Sequence, residues 1–216
     1  MRSIRGFALH VFHMRSSLRA AALSCLLSLI LFAVAQPAHA LDAISVRSDA
    51  PAIDLTGVLE FQRSDTDRIQ VSTAPGTDGI VRRIEVRARE GGQNWIVFAL
   101  TNNTDDQLDR LIVVPHYRIV SSGLLWPDLG LSRIASITPS TGDRPERQDN
   151  ATADVFRITL DPGAVITFVA ELRTDKIPQL YLWEPEAYKD KVNSFTLYQG
   201  IVIGISGLLA LVLTIL

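Results

Sequence analysis

The sequence predicts an all-β domain, a two-sheet sandwich, preceded by a signal peptide and followed by a transmembrane helix. Three observations predict it. Short runs between residues 41 and about 175 alternate apolar and polar residues, the period of a strand, with turn residues between them and no helical periodicity. The first forty residues carry arginines, then an apolar stretch, then small residues. From Phe195 to Leu216 there is no charged residue at all.

The N-terminal end holds its charges only in Arg2, Arg5, Arg15 and Arg19. Met14 opens the better signal sequence: Arg15 and Arg19 form the basic start, and Ala20 to Ala35 is apolar apart from Ser24, Cys25 and Ser28. Ala38-His39-Ala40 places small residues at the two positions a signal peptidase reads, after the helix breaker Pro37, so translation from Met14 and cleavage after Ala40 are expected. An uncleaved anchor is the other reading. Cys25 precedes most of the apolar run, which argues against a lipoprotein.

With those four arginines set aside, 17 basic residues face 23 acidic ones, a charge of about −6. Such a domain repels phosphate backbones, so nucleic acid is not an expected partner. Cys25 is the one cysteine, which excludes disulfides, thiolate metal sites and cysteine nucleophiles after Ala40. No cofactor and no metal site are expected.

The strands follow in order. Arg68–Ser72 alternates, and Ile80–Arg87 sets Ile80, Ile84 and Val86 against arginines. Trp95–Leu100 is continuously apolar, as a central strand is. After the polar turn Asn102–Asp106 comes Arg110–Val114. Val155–Leu160 and Val165–Leu172 flank the turn Asp161-Pro-Gly163. About eight strands are expected in a sandwich over residues 41–176. Residues 177–194 read as a juxtamembrane linker or short helix.

Residues 195–216 read as the first transmembrane helix. These 22 residues would span about 33 Å as a helix, enough for a bilayer core. The charged stretch Glu184–Lys191 marks the wet, exported side, and the C-terminus then points to the cytoplasm. The run ends while still hydrophobic, which suggests the front of a longer protein. Gly200, Gly204 and Gly207 form a small-residue face that suits helix packing, and with it a homodimer through the membrane helix. Glycine is also simply common in membrane helices.

No P-loop, G-x-G-x-x-G or H-E-x-x-H is present, and the exported part lacks G-x-S-x-G. His116, the lone histidine after residue 40, suits a structural place at a strand end better than that of a lone base. No catalytic residues are assigned, and any enzymatic output would lie beyond residue 216. The loop-rich stretch Trp126–Asp149 carries Trp126, Arg133, Asp143 and Arg147 as candidate ligand-binding residues. Rings stack on sugar faces, and arginine and aspartate direct hydrogen bonds. The alternative is an Arg–Asp network that holds a long loop, with Trp126 as its apolar plug.

Thr141-Gly-Asp-Arg-Pro-Glu-Arg147, Phe156-Arg-Ile-Thr-Leu-Asp-Pro-Gly163 and Ala170-Glu-Leu-Arg173 resemble the extracytoplasmic domain of the bacterial seven-transmembrane receptors with diverse intracellular signalling modules. Phe195-Thr-Leu-Tyr-Gln-Gly200-Ile-Val-Ile-Gly204 resembles the opening of that family's membrane domain. The resemblance spans Ala52 to Leu216. It implies a jelly-roll-like sensor in the periplasm of an inner-membrane protein, binding an unknown small ligand such as a carbohydrate. Its output would be a diguanylate cyclase, a cyclic-di-GMP phosphodiesterase or a histidine kinase, none of which is in this chain. A membrane-tethered carbohydrate-binding or envelope structural module without signalling output is the alternative.

Overall fold

The computed structural model describes residues 41–119, 125–127 and 132–215. The signal sequence expected over residues 1–40 lies outside them. Among the described residues, fourteen strands and one long helix follow in order: β1 (Ala43–Val46), β2 (Ala52–Asp54), β3 (Glu60–Arg63), β4 (Arg68–Ser72), β5 (Arg83–Arg87), β6 (Asn94–Asn102), β7 (Leu108–Pro115), β8 (Tyr117–Ile119), β9 (Leu125–Pro127), β10 (Ile134–Pro139), β11 (Glu146–Gln148), β12 (Ala153–Leu160), β13 (Val165–Leu172), β14 (Tyr181–Trp183) and α1 (Pro185–Ile215).

Two five-stranded sheets form the sandwich. In the first, β6 pairs with β13 and β13 with β10, while β1 and β3 share the other edge of β6. The β1–β6 pair is parallel and the other pairs are antiparallel. The second sheet runs β11-β12-β7-β14-β2, all antiparallel. Two hairpins, β4–β5 and β8–β9, stand apart from both.

Strand alternation decides what each face does. On β6, Ile96, Phe98 and Leu100 enter the core between the sheets; Trp95, Val97 and Ala99 point the other way, under Ile69, Val71 and Val86 of the β4–β5 hairpin. The opposite sheet supplies Ile112 and Val114 from β7, Phe156, Ile158 and Leu160 from β12, and Leu182 from β14. Phe98 and Phe168, register partners on β6 and β13, stack with ring centroids 5.4 Å apart.

Four of the expected strands differ in extent, β12 by starting at Ala153 rather than Val155. β5 begins at Arg83 rather than Ile80, because Pro75–Arg82 closes its own turn: the Gly79 amide donates to the Gly76 carbonyl at 2.8 Å, Gly79 takes φ +70°, and Arg82 pairs with Asp78. Ile80 is left exposed there. β6 and β7 run longer than their apolar cores, β6 ending on Asn102. Tyr181–Trp183, within the stretch that reads as a linker, is a strand between β7 and β2, and the helix begins two residues later. α1 is long and apolar enough to cross a membrane.

Asn102 ties two turns to the end of the sandwich. Its buried side-chain amide donates to the carbonyls of Asp106 (2.8 Å), Leu160 (2.9 Å) and Asp161 (3.2 Å), and its side-chain oxygen accepts from the amide and hydroxyl of Thr104. Its backbone closes the 161–163 turn with Ala164 and Gly163. Asn102→Ala leaves buried carbonyls without donors, and we expect it to lower the unfolding free energy by about 2–3 kcal/mol in urea titration. A loss below about 0.5 kcal/mol would show that water replaces the amide there.

Candidate ligand-binding site

At the other end of β12, Asp154 occupies an inward-facing position, in phase with Phe156, Ile158 and Leu160. A charge there must be met, and it is. Oδ2 accepts the amides of Arg133 (2.5 Å) and Ile134 (3.0 Å). Oδ1 accepts the Ser132 hydroxyl (2.8 Å) and the Arg147 guanidinium (2.6 Å). The Asp154 side chain is 1% exposed. One carboxylate from the second sheet thus satisfies the entry of β10, the edge strand of the first.

Arg147 reaches this carboxylate from β11. Its guanidinium also donates to the Ser132 hydroxyl (2.7 Å) and the Ile134 carbonyl (3.2 Å), and it lies 5.3 Å from the centroid of Phe156, its register partner. The charge of Arg147 is cancelled by Asp154, and its plane rests on an aromatic face.

Above this network lies a hollow of about 220 Å³, lined by His116, Ser132, Asp154 and the β11–β12 loop with Arg147, Gln148, Asp149 and Asn150. The loop is pinned at both sides. The His116 amide donates to the Thr152 carbonyl at 2.7 Å, and the Asn150 side-chain oxygen accepts from the amide and hydroxyl of Thr152. The His116 ring is buried, with Nε2 3.4 Å from Oδ1 of Asp154. Neither ring nitrogen makes a hydrogen bond among the described residues.

A second hollow, about 340 Å³, lies beside Glu171 and residues 90–94. Its floor is already used. The Glu171 carboxylate accepts the amides of Arg89, Glu90 and Gly92, and the Ser136 hydroxyl at 3.2 Å. Gly92 is required for this approach, since a Cβ there would lie 2.9 Å from the Leu172 carbonyl oxygen.

Of the four residues singled out in the sequence, the structure brings two to one point. Arg147 holds Asp154 by its side chain, and Arg133, itself buried, does so by its backbone amide. Asp143 stands in an exposed turn ahead of β11. Trp126 belongs to β9, opposite Arg118, and its side chain lies outside the described residues. Asp154, Ser132 and Asn150 were not anticipated. Only Asp154 left a trace in the sequence, as an acid in phase with the apolar residues of its strand.

The sandwich is joined to α1 by an aromatic junction. Glu184 caps the helix, accepting the Ala187 amide at 2.7 Å, while its own amide donates to the Pro51 carbonyl. Trp183 and Tyr188 lie 6.0 Å apart and pack on Leu111, Val113, Ala153 and Val155, the outer face of the second sheet. Lys191 Nζ sits 4.5 Å from the Trp183 ring centroid and 5.9 Å from that of Tyr181.

Fold, hollow and junction together define a β-sandwich domain carried on an apolar helix. Residues 88–184 match the family model described as 7TMR-DISM extracellular 2. That match and the helix behind it fit the N-terminal sensor part of a receptor of the 7TMR-DISM kind, an inner-membrane protein with a periplasmic domain. No curated protein and no solved structure matches the chain.

The network makes a sharp contrast between two aspartates. Asp154→Asn removes the charge that Arg147 and two amides converge on, and we expect a loss of about 2–3 kcal/mol in chemical denaturation. Asp143→Asn in its exposed turn is expected to change stability by less than about 0.5 kcal/mol. Equal effects at the two positions would overturn the assignment of Asp154 as the hub.

Proposed function

We propose that this chain senses a small ligand outside the cytoplasm and passes the event through α1 to a cytoplasmic signalling module beyond residue 216. The observation that carries the reading is the match of residues 88–184 to a receptor extracellular domain, joined without a spacer to an apolar helix. The resemblance of the sequence to seven-transmembrane receptors supports a diguanylate cyclase, a cyclic-di-GMP phosphodiesterase or a histidine kinase as the output. A carbohydrate is the ligand this resemblance favours.

The junction supports the transmission step. A signal can pass only if binding favours one arrangement of the receptor over another, and the packed contact of Trp183, Tyr188 and Lys191 gives the sandwich a grip on the helix. The small-residue face of Gly200, Gly204 and Gly207 would suit a neighbouring helix, either another span or a second copy.

Reading the gene beyond codon 216 tests the proposal. We expect the frame to continue through six further hydrophobic spans into a signalling module, whose identity names the output. A stop codon directly after Leu216 would overturn it and leave a tethered carbohydrate-binding or envelope module.

A further inference from the structure

The hollow at His116, unlike the one at Glu171, is lined by a buried polar ring that makes no hydrogen bond among the described residues. His116 is 6% exposed, and both of its ring nitrogens are buried without a hydrogen bond among the described residues. Buried polar groups in folded proteins are normally satisfied, so a partner is expected at the ring. Asp154, 3.4 Å away, has its oxygens taken by Ser132, Arg147 and the Arg133 and Ile134 amides.

The chemistry of the lining narrows what that partner is. A neutral imidazole offers one donor and one acceptor, and the side-chain amide of Gln148 offers both as well. The charges on the floor cancel, since Arg147 meets Asp154 at 2.6 Å. An anion would meet Asp149 at the rim and the Asp154 carboxylate below. A cation would find the floor carboxylate already engaged. A hydroxyl group, donor and acceptor at once, suits the ring and the Gln148 amide together. The volume of about 220 Å³ suits a molecule of monosaccharide size or smaller.

The wall of the hollow also reaches toward the helix. Ala153 lines the hollow and belongs to the outer-face cluster on which Trp183 and Tyr188 pack.

We infer that the His116 hollow binds a small uncharged polyhydroxyl molecule, and that the Ala153 wall passes its occupancy to α1 through the packed Trp183–Tyr188 pair. This rests on the sensor reading and gives it a site, a ligand class and a route.

His116 is the one histidine after residue 40, so a ¹⁵N-histidine-labelled chain in detergent micelles isolates its ring once the resonances are compared with His116→Gln. Fluorotryptophan labelling reports Trp183 in the same sample, assigned with Trp183→Phe. The probes are glycerol and D-glucose, with D-glucuronate and D-glucosamine as charged counterparts. We expect the neutral probes to shift the His116 nitrogens saturably and to move the Trp183 signal with the same titration midpoint. The charged probes should act more weakly. Tyr188→Ala removes the ring that packs on the Ala153 cluster and beside Trp183, so it should retain the His116 shift and lose the Trp183 response. Silence at His116 with both neutral probes means the hollow holds only water, and it overturns the site. A stronger response to glucuronate or glucosamine overturns the ligand class, and an intact Trp183 response in Tyr188→Ala overturns the route. None of these results touches the receptor reading, which stands or falls with the gene beyond codon 216.

Discussion

The structure depends on one strand that is apolar on both faces. Strand β6 carries Ile96, Phe98 and Leu100 to one side and Trp95, Val97 and Ala99 to the other, all essentially buried. Apolar area left in water costs about 25 cal/mol per Å², so each face requires a cover. The second sheet covers one, and the β4–β5 hairpin covers the other. The same rule acts more weakly on β7. Its outer residues Leu111 and Val113 are covered by Trp183 and Tyr188, which brings the start of α1 onto the sheet. The attachment of the helix is therefore a consequence of how β7 is patterned.

Burying two faces leaves loop backbone stranded at the sandwich ends, and a few buried polar side chains meet that need. Asn102 donates to three loop carbonyls, Glu171 accepts three loop amides, and Asp154 accepts two at the start of β10. Each acts across sequence gaps that the strand ladders do not bridge. This places the conspicuous acids in structural work. A carboxylate whose acceptors are filled by amides is poorly placed to recognise a ligand, however central its position. At Asp154 the residual bonding capacity passes to its neighbour His116, and that is a property of the network, visible only when every donor has been assigned.

How far the sequence foretold this follows the same physics. Strands long enough to show their period, such as β4, β6, β12 and β13, stood out from alternation or continuous apolarity. β1, β2, β3 and β14 have three or four residues and too few repeats to betray a period. β10 is longer, but its register shifts between Ile134 and Ser136, which breaks the alternation. Arg147 was noticed because an arginine in a turn-rich stretch invites a partner. Its partner was overlooked because Asp154 sits in a strand whose apolar residues dominate the reading, although its phase marked it as buried. The grouping of His116 with Asn150 depends on β7 and the β11–β12 loop meeting, a contact no local pattern encodes.

The helix sets the final constraint. From Lys189 to Ile215 every residue of α1 is exposed, and the apolar ones among them, including Phe195, Leu197 and Ile203, have no protein to cover them here. In a bilayer, lipid or neighbouring helices supply that cover. Among the described residues, the sandwich holds α1 only through the first turns: the Glu184 cap, the Trp183–Tyr188 pair, and Lys191 over the rings. Whatever the sandwich does can reach this helix only there. A loose junction would let the helix keep its tilt while the domain changed shape, and the change would be lost. A packed and capped junction, with a cation held over two aromatic faces, would carry a displacement of β14 to the helix axis, because cap and rings are packed together.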